Sequence, residues 1–361
     1  MRKLLIFHQA LAPYRVDFFN RFAERFDTEL VLFDTNLVNQ KFDQKRLVEK
    51  LRCRVSYLLG GFRWKDRYFR TGAIRKVWRE RPNVVLGCEY SLVTIALALY
   101  RFVFRAKFKL YTMTDDNELQ FRARKGLKSI LRWLFVRLLD GIVVTNEAVR
   151  QAYEAITPKH ARARYYVVPI LHDENKIRKD TDSIIRAGRD WRERHLSRFE
   201  KVALYVGRLD EVKNVKWLVS QFKSIVDVAL VMVGAGEQGM EIEEMVTAEK
   251  LSNVFLLGRK EGREVYEMMS MADVLVLPSS FEPYGAVVGE ALQWGVPCVV
   301  SDRVGAKDII NEKNGVVFKC GDSDGFAISL RRALRLKHSN DSLIADGLNK
   351  AVLPLLDVME I

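Results

Sequence analysis

Short apolar runs alternate along the chain with longer stretches in which hydrophobic positions recur at helical spacing. The first half has such runs at residues 4–7, 30–33, 84–86, 108–112 and 142–144. The second half has them at residues 202–206, 229–233, 254–257, 274–277 and 298–300, each followed by a helical stretch. Strands that alternate with helices are typical of a parallel, doubly wound sheet. The pattern therefore predicts an α/β protein built from two Rossmann-like domains.

A chain of 361 residues is too long for one ordinary domain and long enough for two. Residues 173–200 are charged, helical in character and poor in strand-forming residues, so we interpret them as the connector. The predicted domains are residues 1–170 and residues 171–340. A helical tail at residues 341–361 follows and can pack back on the first domain.

The longest apolar run, at residues 92–100, ends at Arg101 and is far shorter than the roughly 20 residues that a membrane-spanning helix needs. The amino-terminal apolar stretch is too short for a secretory signal and lacks a small-residue cleavage site. We therefore expect a cytoplasmic protein. The cysteines at positions 53, 88, 298 and 320 are scattered, which predicts reduced thiols and neither a disulfide framework nor a zinc site.

Positive charge is concentrated in the first half of the chain. Residues 1–170 hold 33 Lys and Arg against 16 Asp and Glu, a balance of +17, and the remaining 26 and 30 give −4, for a total of +13. This asymmetry indicates that one domain faces an anionic partner: nucleic acid, a phospholipid surface or a phosphorylated substrate. General solubility is the alternative interpretation.

Glycine and basic residues follow the predicted strands of the second half, where open parallel sheets bind ligands. Gly207 and Arg208 come after residues 202–206, and Lys213 lies five residues beyond Arg208. Two cations across a turn can converge on one diphosphate, although a solvated pair is the alternative. Residues 229–233 end in Gly234 and Gly236, a turn that lets a backbone approach a nucleotide or is needed only for steric reasons.

Two further segments of the second half carry candidate chemistry. Arg259 follows a third glycine turn, where it can lie near a base or be merely exposed. In residues 277–292, Pro283 suits the first turn of a helix whose free amides form an anion site. The predicted residues of this site are Pro283, Tyr284, Gly285, Ala286 and Val287. Glu282 then lies at the mouth of the helix, and helical spacing puts Glu290, about two turns further on, near the same face. A capping Glu282 and a solvated Glu290 are the alternative.

The stretch from residue 207 to residue 317 resembles the donor domain of glycosyltransferase family 4, whose members are retaining enzymes of the GT-B fold, and in particular the members that act in bacterial surface-polysaccharide synthesis. The matching pieces are Gly207-Arg208-Leu209 with Lys213-Asn214, Val233-Gly234-Ala235-Gly236-Glu237, Phe255-Leu256-Leu257-Gly258, Leu277-Pro278-Ser279, Glu282 with Glu290, Gly295-Val296-Pro297-Cys298-Val299-Val300-Ser301 and Asn314-Gly315-Val316-Val317. The resemblance implies two doubly wound domains that face each other across a cleft, with the acceptor on the first and the donor on the second.

What the resemblance implies for the site is a nucleotide-diphospho-sugar, held at its diphosphate by Arg208 and Lys213. Glu282 and the amides after it would hold the transferred sugar, and Glu290 would hold the ribose hydroxyls. The family often shows two glycines and a glutamate after the position of Ser301, whereas this chain has Val-Gly-Ala-Lys-Asp at residues 304–308. The role of that loop is open.

The first half resembles the family only in outline. The Gly-rich first loop of many members is replaced by residues 8–15, and the histidine after the fourth strand is replaced by residues 112–118. Candidate residues on the acceptor side are Tyr14, Arg15, Glu89, Asp115 and Asp116. For the two aspartates, capping of the following helix is an equal alternative.

Two basic segments of the first half predict contact with an anionic surface. Basic residues recur at helical spacing at Arg124, Lys125, Lys128 and Arg132, and basic and aromatic residues alternate at positions 62–70. Such patterns are typical of a helix on anionic lipid. They are also compatible with single-stranded nucleic acid, or with an amphipathic crossover helix and a solvated loop.

These observations together predict a metal-independent, retaining hexosyl- or related glycosyltransferase that needs no cofactor. The partners expected are a nucleotide sugar, a saccharide acceptor that is lipid-linked, and the inner face of the cell membrane, with no nucleic acid. Acidic pairs at residues 115–116 and 322–324 lack the surroundings of a metal site. A sugar-nucleotide epimerase of the same fold, and a basic nucleic-acid-binding protein, are the alternative functions.

Overall fold

The computed structural model describes residues 1–36, 42–64, 67–115, 127–157, 163–336, 338–339 and 341–361, of which 63, 64, 67, 68 and 127–131 by their backbone alone. The chain divides into two compact units. Unit 1 consists of Met1–His172 together with Gly347–Ile361, and unit 2 is Asp173–Asp346. The boundaries predicted from the sequence are residues 170 and 340.

Unit 1 is built on a parallel sheet of seven strands. Its strands are β1 (Lys3–His8), β2 (Asp27–Leu32), β3 (Arg54–Tyr57), β6 (Val84–Cys88), β7 (Lys109–Thr114), β8 (Gly141–Val144) and β9 (Arg164–Val167). Their order across the sheet is β3-β2-β1-β6-β7-β8-β9. An antiparallel hairpin of β4 (Gly61–Trp64) and β5 (Arg67–Arg70) follows β3. The predicted α/β architecture is confirmed, because every pair in the seven-stranded sheet is parallel.

Helices cover this sheet and bury its apolar strands. They are α1 (Val16–Ala23), α2 (Gln44–Glu49), α3 (Ala73–Glu80), α4 (Leu92–Phe104), α5 (Leu127–Val136) and α6 (Glu147–Ile156). Apolar residues of α3, α4, α5 and α6 join strand residues such as Leu5, Val85 and Leu110 in one core cluster. These four helices therefore form a layer on the same face of the sheet.

Unit 2 repeats the parallel scheme with six strands and one helix between most of them. Its strands are β10 (Lys201–Val206), β11 (Val228–Val233), β12 (Val254–Leu256), β13 (Val274–Leu277), β14 (Cys298–Ser301) and β15 (Gly315–Phe318), in the order β12-β11-β10-β13-β14-β15. Its helices are α7 (Glu174–Ile177), α8 (Thr181–Leu196), α9 (Val215–Gln221), α10 (Gly239–Ala248), α11 (Arg263–Met271), α12 (Ala286–Gln293) and α13 (Ser323–Ala333).

The segment interpreted as a connector is a packed part of unit 2. Helix α8 lies against α11, and a glycine makes the close approach possible. A Cβ atom on Gly188 would lie 2.3 Å from Ser270 Oγ and 2.4 Å from the carbonyl oxygen of Glu267. The charged residues that suggested a linker lie on the outer side of this helix, where Asp190 and Glu193 are exposed.

The last helix, α14 (Gly347–Glu360), packs on unit 1. Arg25 at the end of α1 forms an ion pair with Asp357 at 2.6 Å, and the Lys109 ammonium donates to the carbonyl oxygen of Val358 at 2.9 Å. Leu355 and Met359 are fully buried on its inner side. Among the helices that the structure describes, none is long and apolar enough to traverse a bilayer.

Candidate active site

The carboxyl ends of three neighbouring strands of unit 2 bring the predicted glycine turns together. The amide of Gly207, after β10, donates to the carbonyl oxygen of Val233 at 3.0 Å, and the amide of Gly234, after β11, donates to that of Gly258 at 2.8 Å. Leu209 donates to Ala235 at 3.1 Å. The three turns therefore form a continuous rim at one edge of the sheet.

Two glycines of this rim are required because the turns touch. A Cβ atom on Gly234, whose φ is +153°, would lie 1.8 Å from the carbonyl oxygen of Gly207. A Cβ atom on Gly236 would lie 2.3 Å from the carbonyl oxygen of Leu209. Packing of one turn on the next is thus sufficient to account for both residues.

We expect Gly234→Ala to lower the free energy of unfolding by about 1–3 kcal/mol from overpacking, in addition to the strain of its backbone conformation. Gly321→Ala is the matched control, because Gly321 has a φ of +81° and nothing lies within 4 Å of its Cβ position. That control should lose only about 1–2 kcal/mol from backbone strain. Chemical denaturation of both variants measures the difference, and equal losses would contradict the steric explanation.

Two enclosed charges of the rim, Lys213 and Glu282, form an ion pair with each other. Their side chains are 14% and 12% exposed, although 69 residues separate them in sequence. Lys213 is placed by a 3-10 turn, Glu211–Lys213, in which the Asp210 carboxylate accepts from the Lys213 amide at 3.2 Å. The Ser280 amide donates to the carbonyl oxygen of Val212 at 2.9 Å and so attaches the segment of Glu282 to this turn.

Arg208 differs from Lys213 because its side chain is largely exposed to solvent. Its side chain is 62% exposed, and its guanidinium pairs with Asp210 at 2.9 Å. Its carbonyl oxygen accepts from the Tyr205 hydroxyl at 2.6 Å. Burial, followed by the Asp210 and Glu282 carboxylates, raises the pKa of Tyr205, so this hydroxyl remains a donor that holds the turn. Arg208 is thus anchored through its backbone while its cationic end reaches into solvent.

The helix after Glu282 begins later than predicted. Helix α12 starts at Ala286, and Gly285, with a φ of +92°, precedes it as the capping residue. Pro283 therefore lies outside the first turn, and the prediction that it starts the helix is wrong. The reason is that the backbone turns at Gly285 in a conformation open mainly to glycine. The first-turn amides without intrahelical acceptors then include those of Ala286 and Val287.

The remaining donor candidates differ in their exposure. Tyr284 is buried, and Glu290 is partly buried on α12. Because Glu282 precedes the helix, helical spacing does not relate it to Glu290, contrary to the sequence argument. Arg259 is 66% exposed and pairs with Glu261.

The loop at residues 304–308, whose role was open, supports the segment that carries Glu282. Glu282 and Val304 form a parallel β-bridge, and the amides of Gly305 and Ala306 donate to the carbonyl oxygens of Glu282 and Tyr284 at 3.1 and 2.7 Å. A Cβ atom on Gly305 would lie 2.1 Å from the carbonyl oxygen of Pro283. Three residues that support the site, Gly305, Tyr205 and Asp210, were not predicted from the sequence. For Gly305 the available signal was its position after a strand.

In unit 1 the structure brings together Arg15 and Asp115, which form an ion pair. The Arg15 side chain is 4% exposed, and burial opposes its charge, but Asp115 raises the pKa of Arg15 above its usual value. Nearby, His8 Nδ1 lies 2.9 Å from the carbonyl oxygen of Ala10. Burial, assisted by Arg15, lowers the pKa of His8 to about 4, so this imidazole is neutral at pH 7.

The other described acceptor candidates, Glu89 and Tyr14, lie at the same edge of the sheet. Glu89 follows β6 with a φ of +49°, and its carbonyl oxygen accepts from the Thr112 hydroxyl at 2.6 Å. Tyr14 lies partly buried beside Arg15, whose guanidinium is 5.8 Å from the Tyr14 ring centre. Asp116 lies outside the described residues.

The predicted basic stripe is corrected at Arg132. This side chain is 5% exposed, and its guanidinium lies 5.4 Å from the ring of Tyr90 and 5.5 Å from that of Tyr153. It therefore faces the helical layer and not a membrane. Arg124, Lys125 and the side chain of Lys128 lie outside the described residues. The physical reason is that helical spacing identifies a shared face but does not say which face is buried.

The acidic residues 322–324 have a structural role. The Asp322 side chain accepts from the Gly325 amide at 2.9 Å and caps α13. Within the described part of the chain, no three His, Cys, Asp or Glu residues are grouped so as to hold a metal ion.

Comparison with known proteins agrees with this architecture. Residues 189–350 match the family described as "Glycosyl transferases group 1". A Bacillus anthracis relative, N-acetyl-alpha-D-glucosaminyl L-malate synthase, is 30% identical over 256 residues, which cover 69% of this chain and 65% of the relative. The chain spans between 28% and 65% of the length of the first curated relatives that it matches.

Solved structures show the same fold at low identity. Anabaena HepE in complex with UDP has a TM-score of 0.70 at 16% identity, over 99% of this chain and 97% of that one. The lipopolysaccharide outer core galactosyltransferase WaaB has a TM-score of 0.68 at 16% identity, over 99% and 100% of the two chains. The chain therefore has the GT-B fold of two Rossmann-like units, and the match to the group 1 glycosyltransferase family lies mostly in its second unit.

Proposed function

We propose that this protein is a retaining glycosyltransferase that moves a sugar from a nucleotide-diphospho-sugar to a hydroxyl of a saccharide acceptor. The observation that carries the proposal is the enclosed Lys213–Glu282 pair on the rim of unit 2, beside the exposed guanidinium of Arg208. On a rim of glycine turns, two cations match the negative charge of a diphosphate, and one carboxylate matches the positive character that the sugar gains during transfer. The relatives named as glycosyltransferases and the UDP bound to HepE support this choice.

The chemistry separates opposite charges at the sugar and the leaving group. As the bond from the anomeric carbon to the diphosphate oxygen breaks, negative charge grows on the diphosphate. The acceptor hydroxyl oxygen bonds to the anomeric carbon on the same face of the sugar, and its proton passes to the departing diphosphate. Arg208, Lys213 and the amides at the start of α12 stabilise the departing diphosphate. Glu282 orients the sugar and stabilises its cationic character, while Glu290 binds the ribose hydroxyls.

The acceptor is proposed to be anionic or lipid-linked and to bind unit 1, as in the synthesis of a cell-surface polysaccharide or glycolipid. The +17 balance of residues 1–170 and the likeness to WaaB, a lipopolysaccharide outer core galactosyltransferase, support this choice. Tyr14, Arg15, Glu89 and Asp115 lie at or next to the carboxyl ends of unit 1 strands, where a ligand of an open parallel sheet binds. The enzyme then acts at the inner face of the cell membrane.

The decisive experiment incubates the protein with a panel of uridine and guanosine diphosphate sugars, first alone and then with saccharide acceptors. Slow release of nucleoside diphosphate from one sugar, accelerated by one acceptor, is the expected result. Nuclear magnetic resonance of the product should show an unchanged anomeric configuration. A changed sugar still attached to its nucleotide would identify an epimerase instead, and no turnover or binding of any donor would refute the proposal.

We expect transfer to continue in excess chelator, because cationic side chains and helix amides stabilise the leaving diphosphate in this scheme. Initial rates in EDTA should match those in untreated buffer. A complete loss that manganese or magnesium reverses would contradict the metal-independent mechanism.

A further inference from the structure

Among the residues that the structure describes, exposed aromatic side chains are confined to unit 1. Among the described residues they are Tyr57, Phe62, Trp78, Phe102, Phe104 and Trp133. The large apolar residues exposed in unit 2 are aliphatic and isolated, such as Met240 and Ile328. A concentration of exposed aromatic rings on one unit is typical of an interaction surface and not of general solubility.

Two adjacent helices carry many of the exposed aromatic and aliphatic residues of unit 1. On α3, Ile74 and Trp78 are one turn apart and are 40% and 65% exposed. On α4, Leu99, Phe102 and Val103 share one side at 48%, 69% and 65% exposure. The two helices contact each other and lie in the same layer over the sheet.

The carboxyl ends of both helices meet at one edge of unit 1. Helix α3 leads into β6 and α4 leads into β7, and these strands are parallel neighbours. Trp78 near the end of α3 and Phe104, 71% exposed at the end of α4, therefore lie at the same edge. At the opposite edge the β4–β5 hairpin contacts α4 and presents Phe62, which is 61% exposed. The apolar surface thus runs the length of the helical layer.

Positive charge surrounds these apolar residues. Residues 71–107 hold seven Lys and Arg but only two acidic residues, Glu80 and Glu89. Lys76 pairs with Glu29, and Arg101 pairs with Asp140. Arg79 pairs with Glu80. Four exposed cations remain for which the structure shows no ion pair with any described residue: Arg75, Arg81, Arg105 and Lys107.

We propose that this α3–α4 surface docks on an anionic lipid bilayer, a proposal that rests on the lipid-linked acceptor proposed above. The surface is defined as the apolar residues Ile74, Trp78, Leu99, Phe102, Val103 and Phe104 with the cations Arg75, Arg81, Arg105 and Lys107. Aromatic rings partition into the interface of a bilayer, and neighbouring cations attract anionic headgroups. A bilayer along the outer side of the layer reaches both edges of the sheet, including the edge of Asp115.

Other occupants fit this surface less well. In a symmetric dimer of this chain the same four cations would face each other, and like charges repel. Single-stranded nucleic acid stacks its bases on aromatic faces in a groove, whereas this surface is the outer side of two helices and includes aliphatic side chains. A lipid surface accommodates both the apolar residues and the charges.

The test uses the full chain and sucrose-loaded vesicles of phosphatidylcholine with or without 30 mol% phosphatidylglycerol, a composition of roughly physiological charge. The wild type should sediment with the anionic vesicles and be released by added salt. One cation near such a surface changes partitioning about fivefold, so Arg75→Glu, Arg81→Glu, Arg105→Glu and Lys107→Glu together should weaken binding at least about 100-fold. Phe102→Ser with Phe104→Ser should weaken it independently of salt.

The matched control replaces exposed residues of unit 2: Met240→Ser with Ile328→Ser, and Lys313→Glu with Lys319→Glu. These variants should bind vesicles as the wild type does. Donor hydrolysis measured without vesicles should be equal in all variants, which separates the docking surface from the donor site. Vesicle binding with no donor turnover would refute the proposed function and leave the surface intact.

Three outcomes would overturn the docking proposal. The first is a wild type that hydrolyses a donor but does not bind anionic vesicles. The second is an RNA gel shift that the charge variants abolish while vesicle binding is unchanged. The third is a dimer in solution that Phe102→Ser with Phe104→Ser dissociates, since the surface would then be covered by a second copy.

Discussion

Replacement of Lys213 by alanine is expected to lower turnover of the nucleotide sugar by about 10²- to 10³-fold, as when one preorganised charge donor is removed. Lys213 is the enclosed cation of the rim, and low exposure strengthens its interaction with a diphosphate relative to that of Arg208. The effect should fall on kcat more than on nucleotide affinity, because the charge on the leaving group grows in the transition state.

The control for this variant is Lys216→Ala, which removes an exposed lysine that pairs with Glu241 at 2.7 Å in the same region. Its turnover should be unchanged. Because Lys213→Ala also removes the partner of Glu282, a second variant, Lys213→Ala with Glu282→Gln, tests folding. It should be at least as stable as the single variant and still inactive. Wild-type turnover in Lys213→Ala with normal nucleotide affinity would exclude the diphosphate role.

Replacement of Asp115 by asparagine is expected to destabilise unit 1 by about 2 kcal/mol. Removing one partner of a fully buried ion pair costs about 3–5 kcal/mol. We expect a loss below that range because the Asp115 side chain is 40% exposed, although that of Arg15 is only 4% exposed. The loss arises from the Arg15 charge, which is left in a buried site without its carboxylate. Urea denaturation followed by circular dichroism measures the loss as a lower midpoint of the unfolding transition of unit 1.

The matched control for Asp115→Asn is Asp27→Asn. Asp27 pairs with Arg54 at 3.1 Å on the surface of the same unit, where the two side chains are 49% and 61% exposed. An exposed pair of this kind contributes about 0.2–1 kcal/mol, so the midpoint should change little. Equal losses in both variants would show that Arg15 does not depend on Asp115.

Local pattern predicted the central strands of both sheets and one edge strand, β12, but missed the edge strands β3, β9 and β15. The buried runs of β1, β6, β10 and β11 are continuous and apolar, which is what two-sided burial requires. The edge strand β3, Arg54–Tyr57, alternates exposed and half-buried residues and was not predicted. Edge strands bury less, so their sequence is closer to that of a loop.

The predictions for Pro283 and Arg132 were wrong for one reason: each local pattern is compatible with two placements. A proline before a helical pattern is compatible with the first turn or with the preceding loop, and only the conformation of Gly285 decides between them. A basic residue on an amphipathic helix is compatible with either face until its neighbours are known. In this fold Tyr90 and Tyr153 stack on Arg132 and enclose it.

The sequence by itself determined the alternation of strands and helices, the division near residue 170, and the glycine turns and cations that follow the strands of unit 2. These features depend on hydrophobic periodicity and on residue types close together in the chain. The tertiary structure alone decided that Lys213 meets Glu282, that Arg15 meets Asp115, and that exposed aromatic rings gather on α3 and α4. These contacts depend on strand order and on the side of the sheet that each helix covers. Residues far apart in sequence determine both, and no local pattern records them.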